Sequence, residues 1–367
     1  MMNLSLHHRG PDDTNYWISP DQMLAFGHNR LAIIDTSENG SQPVLSHSKR
    51  YVIVFNGEIY NHLELRKELE LVNHSLSWRG HSDTETILAG FEIWGIQKTI
   101  SKMFGMFAMA IWDHQNKILS LTRDRIGEKP LYYFQSNDLL TFASEPKAFF
   151  NVEDFKSQTA IDQGAIYEFL KFSYVPDSSS IFQSVHKVKP GTILSFGNIH
   201  STPEEFCYWS MSEVISTKKR DTNHNSQSFY EEGLESTLSS VIQSQMISDV
   251  PIGSFLSGGI DSTLITLLMQ KSSSIPVQTF SIGFKEARFN ESEYAADIAH
   301  FLKTNHTEFI VDEMDILNII PSLPEIYDEP FADSSQLPTI LLSKLAKENV
   351  TVALTGDGGD EVFGGYN

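Results

Sequence analysis

The chain has 367 residues, 40% hydrophobic and 20% charged, with 27 basic against 47 acidic side chains and a formal net charge of −20. That length exceeds one typical core, so two domains are expected, and the acidity excludes nucleic acid as the main partner, because phosphate backbones are gripped by clustered Lys and Arg. One cysteine, Cys207, excludes an intramolecular disulfide framework, and no apolar run approaches the ~18 residues that span a bilayer, so a cytoplasmic protein with no membrane partner is expected.

From residue 24 to 145 the pattern is short strands between turn residues. LAFGHNRLAIID, RYVIVFNGEIYN, GMFAMAIWD, KILSLTRDR, PLYYFQ and LLTFASE are each rich in aromatic and branched side chains. Helices are expected near 63–72 and 82–95, the second opening on a Ser/Asp cap. Residues 151–228 form a crossover: a helix in AIYEFLKF, a Pro-marked turn, a hairpin-like VHKVKPGTILSF, and a polar linker at 216–228. After it the period changes. Strands in IGSF, VQTFSIGF and VTVAL alternate with helices in FYEEGLESTLSSVIQSQMI, STLITLLMQK, SEYAADIAHFLK and QLPTILLSKLAKE, the mark of a doubly wound parallel sheet. The expected division is therefore 1–150, 151–228 and 229–367. Cys207, in the crossover, reads as a packing residue.

Between the first of those strands and its helix stands Leu256-Ser257-Gly258-Gly259-Ile260-Asp261-Ser262. Two glycines allow the backbone to approach phosphate oxygens, and the helix start offers unpaired N–H groups. Asp261 fits beside a phosphate when a Mg²⁺ lies between them. The lysine of a Walker A loop is missing. The sequence SGGxDS resembles the pyrophosphate loop of the N-type ATP pyrophosphatases. By that resemblance Ile282 in TFSIGF meets the adenine, and Thr355 and Gly356 in LTGDGGDEVFGGYN lie near the nucleotide. Asp357, Asp360 and Glu361 lie near the acceptor carboxylate or the metal, with Asp261 and Asp360 as ligands. Asp328, Glu329 and Asp333 in DEPFADSSQLP would support that site, or equally form a solvated turn.

The first half carries, in order, HRGPDD, GHNRLAIID, FNGEIYN, SDTETIL, GMFAMAIWD, RDRIGEKPLYY and FASEPKA. These seven segments resemble the class II glutamine amidotransferase domain, an Ntn-hydrolase sandwich of antiparallel sheets with helices. Together the two halves are similar to the glutamine-hydrolysing asparagine synthetases. Arg30 has the forked guanidinium suited to an α-carboxylate, and Asp83 suits the α-ammonium. Asn56 and the N–H of Gly57 suit an oxyanion hole, and Glu58 would orient the substrate amine.

The resemblance also places a nucleophilic cysteine at the mature amino terminus, ahead of the HRGPDD segment, and a lysine-bearing helical region after the terminal GGY. Neither is in these residues, so the chain reads as part of a longer one. The implied reaction uses glutamine, aspartate, ATP and Mg²⁺ to form asparagine, glutamate, AMP and pyrophosphate through an acyl-adenylate and channelled ammonia, and the resemblance leaves room for a homodimer. Asp357 stands where the family often has Glu, which leaves open an acceptor other than aspartate, such as a sugar acid of surface polysaccharide. An ammonia-dependent enzyme and an inactive relic are the remaining readings should Met1 be the true start.

Overall fold

In the computed structural model, residues 1–217, 226–285 and 292–365 are described. The chain divides into two compact units, Met1–Asp221 with Tyr327–Ala332, and Thr222–Ile326 with Asp333–Asn367.

The first unit holds strands β1 (Asp13–Ile18), β2 (Ala25–Arg30), β3 (Val44–Leu45), β4 (Tyr51–Ile59), β5 (Gly105–Asp113), β6 (Ile118–Arg123), β7 (Tyr132–Gln135), β8 (Leu140–Ala143), β9 (Val185–Lys187), β10 (Thr192–Phe196) and β11 (Glu204–Cys207). Six of them form an antiparallel sheet in the order β11-β10-β6-β5-β4-β3, three form the sheet β8-β7-β9, and β1 pairs with β2. Alternation along β4 explains why it is buried on both faces. Ile53, Phe55 and Ile59 pack with Ile87, Leu88 and Phe91 of the helix Asp83–Trp94. Val52 and Val54 face the other way, into a second core with Phe26, Leu131 and, at its margin, Phe142. Each fully buried aromatic or branched side chain contributes about 1.5–3 kcal/mol.

The stretch 151–217, read from sequence as a crossover, supplies three strands to these sheets. VHKVKPGTILSF is not a hairpin: β9 pairs with β7, whereas β10 pairs with β6 and β11. The chain changes sheet at Lys189-Pro190-Gly191, where Gly191 takes φ +66° and a Cβ would collide with the Trp209 carbonyl. Of the expected linker, residues 218–225 lie outside the described residues. The flanks are the end of the helix Met211–Thr217 and the start of the helix Gln227–Gln245.

The second unit holds β12 (Ile252–Phe255), β13 (Gln278–Phe284), β14 (Asn305–Val311) and β15 (Val352–Leu354), all parallel, in the order β14-β13-β12-β15. Helices Ile260–Ser272, Ser292–Leu302 and Gln336–Ala346 lie in the connections between successive strands. Two cores are distinct. One gathers Ile242, Leu268, Met269 and Leu354; the other gathers Phe280, Ala346 and Val350. From β12 the chain winds outward to β14, then returns to place β15 on the other side of β12. That reversal opens a crevice at the carboxyl ends of β12 and β15. Among the described residues no helix is long and apolar enough to cross a membrane.

Candidate functional site

β4 builds the first site. β3 pairs only with Val52 and Ile53 on its outer edge. Beyond them side chains take over the backbone. Gln42 donates to the Phe55 carbonyl at 3.0 Å and accepts the Phe55 N–H at 2.7 Å. Asp83 accepts the Ile59 N–H at 2.9 Å. Groups two residues apart on a strand face the same edge, so Gly57, between those capped positions, turns its N–H toward an edge that no described strand covers. Opposite it, Phe107 spends both its backbone groups on Asp124, on the far side from β4. Gly57 has φ +153°, and a Cβ there would collide with the Met106 carbonyl.

A cavity of about 810 Å³ lies against this segment, and Arg30, Asn56, Gly57, Glu58 and Asp83 all line it. Asn56 shares the β4 face of Val54, and its Nδ2 is buried with no partner. Arg30 ends β2, buried, where Nη1 donates to the Ser37 carbonyl at 2.8 Å and Nη2 to the Asp35 carbonyl. The loop therefore fixes the guanidinium plane, and Gly40 has room only for a hydrogen beside it. Burial pushes both Glu58 and Asp83 above the ordinary carboxylate range; the neighbouring Asp83 charge adds to the rise of Glu58, and Lys129 opposes it. Burial also lowers Lys129, which shares the cavity wall. The carboxylates are thus held in a setting that an arriving ammonium would relieve.

Sequence reasoning passed over other residues of this wall. Gln42 and His28 both hold the Phe55 carbonyl, His28 at 3.1 Å. Arg9, also on the wall, contacts Glu145 at 2.6 Å. Burial pushes Glu145 up, but the Arg9 hydrogen bond and then Lys147 hold it below its usual range. Asp328 and Glu329, expected to support the nucleotide site, lie in the first unit. Asp328 accepts the Lys147 N–H at 2.6 Å, and Glu329 pairs with Lys187 at 2.7 Å while accepting from Tyr132 and the Ile181 N–H. Asp333 accepts the Ser335 N–H in an exposed turn. Cys207 is a correction too. It is exposed on the edge strand β11, does not line the cavity, and donates to the Trp209 carbonyl at 3.2 Å.

The second unit brings its motifs together in the crevice. Leu256 is buried, and its N–H donates to the Phe280 carbonyl at 2.9 Å, tying the loop to β13 two residues before Ile282. Ser257 and Ser262 hydroxyls meet at 2.9 Å, closing the loop upon itself. Gly258 takes φ +87°, and a Cβ there would meet Tyr294 at 2.9 Å. From the other side comes the segment after β15. A Cβ on Gly356 would stand 2.7 Å from the Ser262 nitrogen, and one on Gly359 2.5 Å from the Asp261 carboxylate. Glycine alone permits that approach. Thr355 donates to Asp357 at 2.9 Å, and Asp360 is the second residue of the short helix Gly359–Phe363, whose first residue packs against Asp261. Asp261, in the first turn of the helix Ile260–Ser272, is a hard carboxylate at a helix N-terminus, a donor that suits Mg²⁺ beside a phosphate.

Residues 1–209 match the glutamine amidotransferase domain family, and residues 233–367 match the asparagine synthase family. Asparagine synthetase [glutamine-hydrolyzing] 1 of Bacillus subtilis is 37% identical over all of this chain and 55% of its own length. A Methanocaldococcus jannaschii protein named for the same activity is 34% identical over all of this chain and 72% of its own. Asparagine synthetase [glutamine-hydrolyzing] 3 of B. subtilis is 30% identical, covering all of this chain and 59% of the relative. The chain thus spans little more than half of the two Bacillus relatives.

Proposed function

The chain belongs to the family of glutamine-hydrolysing asparagine synthetases, and on that premise we propose that its protein makes asparagine from aspartate, using the glutamine amide as nitrogen source and ATP as activator. The observation that carries this reading is the pairing of two unlike sites in one chain: a walled cavity with an orphaned amide donor, and glycine loops meeting at a switch point.

In the first site Arg30 holds the α-carboxylate of glutamine, and Asp83 with Glu58 takes the α-ammonium. The amide oxygen points at Asn56 Nδ2 and the Gly57 N–H, which strengthen their bonds as negative charge develops there. Cys207 is not the nucleophile of this cavity, since it stands exposed on β11. Residues 1–367 supply the pocket that binds, orients and polarises the amide.

In the second site the backbone from Leu256 to Gly259 and the hydroxyls of Ser257 and Ser262 cradle the phosphates. Ile282 and Thr355-Gly356 flank the nucleoside, and Asp357 faces the acceptor. Asp261 and Asp360 would hold Mg²⁺, whose charge would offset that of the phosphates. The aspartate side-chain carboxylate attacks the α-phosphorus and pyrophosphate departs. Ammonia then attacks the acyl carbon and AMP departs with the bond electrons. The order is chemically necessary, because a free carboxylate is a poor acyl donor until AMP becomes its leaving group. A cytoplasmic setting supplies all three small molecules and suits an exposed thiol.

The test is release of AMP and pyrophosphate by the full-length protein with ATP, Mg²⁺ and aspartate, supplied with glutamine or with ammonium. Both donors should support release, each only when aspartate is present. Release that ignores aspartate but follows another carboxylate would replace the acceptor.

A further inference from the structure

Three polar atoms of residues on the wall of the first-unit cavity are buried without a partner: Asn56 Nδ2, His28 Nδ1 and Thr141 Oγ1, a hydroxyl that can turn either to donate or to accept and so does not by itself tell an amide from a carboxylate. The first can only donate. The second is set by its own ring. His28 Nε2 lies 3.1 Å from the Phe55 carbonyl, which can only accept, so Nε2 carries the proton. Burial pulls this histidine down to about 4, so near neutral pH the ring is uncharged and Nδ1 is a bare lone pair. An orphan donor and an orphan acceptor thus stand at one wall, both anchored to residues 55 and 56 of β4. Orphaned buried polar groups are rare and call for a partner.

A primary carboxamide is the complement, with an oxygen that accepts and an –NH2 that donates. A carboxylate has no proton to give. The layout of β2 agrees. Phe26, His28 and Arg30 share one face of the strand, and the step from Arg30 to His28 is about 7 Å, a span that a five-carbon amino acid covers with its α-carboxylate on Arg30.

We propose that His28 reads the side-chain –NH2 of glutamine through Nδ1, and so makes the cavity select the carboxamide over the carboxylate of glutamate. The proposal rests on the amidotransferase reading above and assigns to His28 recognition only, with no bond made or broken.

Calorimetric titration of the chain with L-glutamine and L-glutamate tests it, in wild type, His28→Gln and His28→Asn. Glutamine at this position can keep the amide donor toward Phe55 while losing the acceptor at the Nδ1 position. Asparagine can keep that acceptor. Wild type should prefer glutamine by about 10- to 100-fold, the scale of one buried hydrogen bond lost with its partner left unsatisfied. His28→Gln should erase the preference, and His28→Asn should retain most of it. A preference unmoved in His28→Gln would overturn the proposal, since Nδ1 would then not read the amide. Nitrogen NMR of the wild-type ring guards against misfolded variants: Nδ1 should shift with glutamine and not with glutamate, and equal responses overturn the proposal. If binding of glutamine depends on Arg30 but ignores His28, this inference fails alone. If neither amino acid binds, the amidotransferase reading fails with it.

Discussion

The two candidate sites are built on opposite plans. In the first unit, side chains do the positioning: Gln42, His28 and Asp83 meet the backbone along the edge of β4 that no described strand covers, and carbonyls fix Arg30. In the second unit the backbone does it: Gly356 and Gly359 bring one loop onto another, and the loop serines bond mainly to each other. On the function proposed above, the difference follows from the ligands. An amide must be gripped at both ends and polarised in a dry cavity, where burial shifts the titrating groups. A triphosphate carries enough charge to be held by N–H groups and a metal in an open crevice.

The largest expected effect breaks the first plan. Gly57→Ala puts a side chain at φ +153° against the Met106 carbonyl and should lower stability by about 3 kcal/mol. A urea midpoint shift measures it, and nucleotide binding by the second unit serves as the control. Gly356→Ala is its counterpart: the crevice should lose MgATP affinity while melting of the first unit is unmoved. Equal damage to both ligands from either change would erase the contrast. Next comes Arg30→Ala. It should weaken glutamine binding about 10- to 100-fold, the worth of a charge-assisted bidentate pair, and leave MgATP affinity unchanged.

The smallest effect concerns pH. Glu58 is raised from its ordinary 4.5 by burial and by Asp83. A carboxyl raised in the folded state binds its proton more tightly there than when unfolded. Its contribution to stability is therefore fully present below the unfolded value and is lost as pH rises toward the folded value. The unligated chain should lose melting temperature as pH climbs above about 4.5, and Glu58→Gln should flatten that slope. Glutamine binding should release protons, which calorimetry in buffers of different ionisation heat detects.

Much of the fold was legible where burial is two-sided. The strand Gly105–Asp113 and the helix Asp83–Trp94 with its Ser82 cap are read directly from apolar runs and cap chemistry. The strands β1, β11 and β14 were not, because each lies at a sheet edge with several exposed residues and so has a weak apolar signature. The sheet change at Lys189-Pro190-Gly191 imitates a hairpin turn, since Pro-Gly serves both. Arg30, Asn56, Glu58 and Asp83 could be named because they sit in ordered motifs, and all four line one cavity. Gln42 and His28 could not, since their importance lies in meeting the Phe55 backbone from 13 and 27 residues away. No local pattern encodes that meeting.

The most direct test of the whole reading follows the nitrogen. Full-length protein given ATP, Mg²⁺, aspartate and glutamine labelled with nitrogen-15 in its side-chain amide should yield asparagine carrying the label in its own amide, one per AMP formed. Asparagine formed without the label while unlabelled ammonium is present would mean that the two sites do not share their nitrogen. Label appearing only as free ammonium, with no AMP, would contradict the coupling of amide hydrolysis to carboxylate activation.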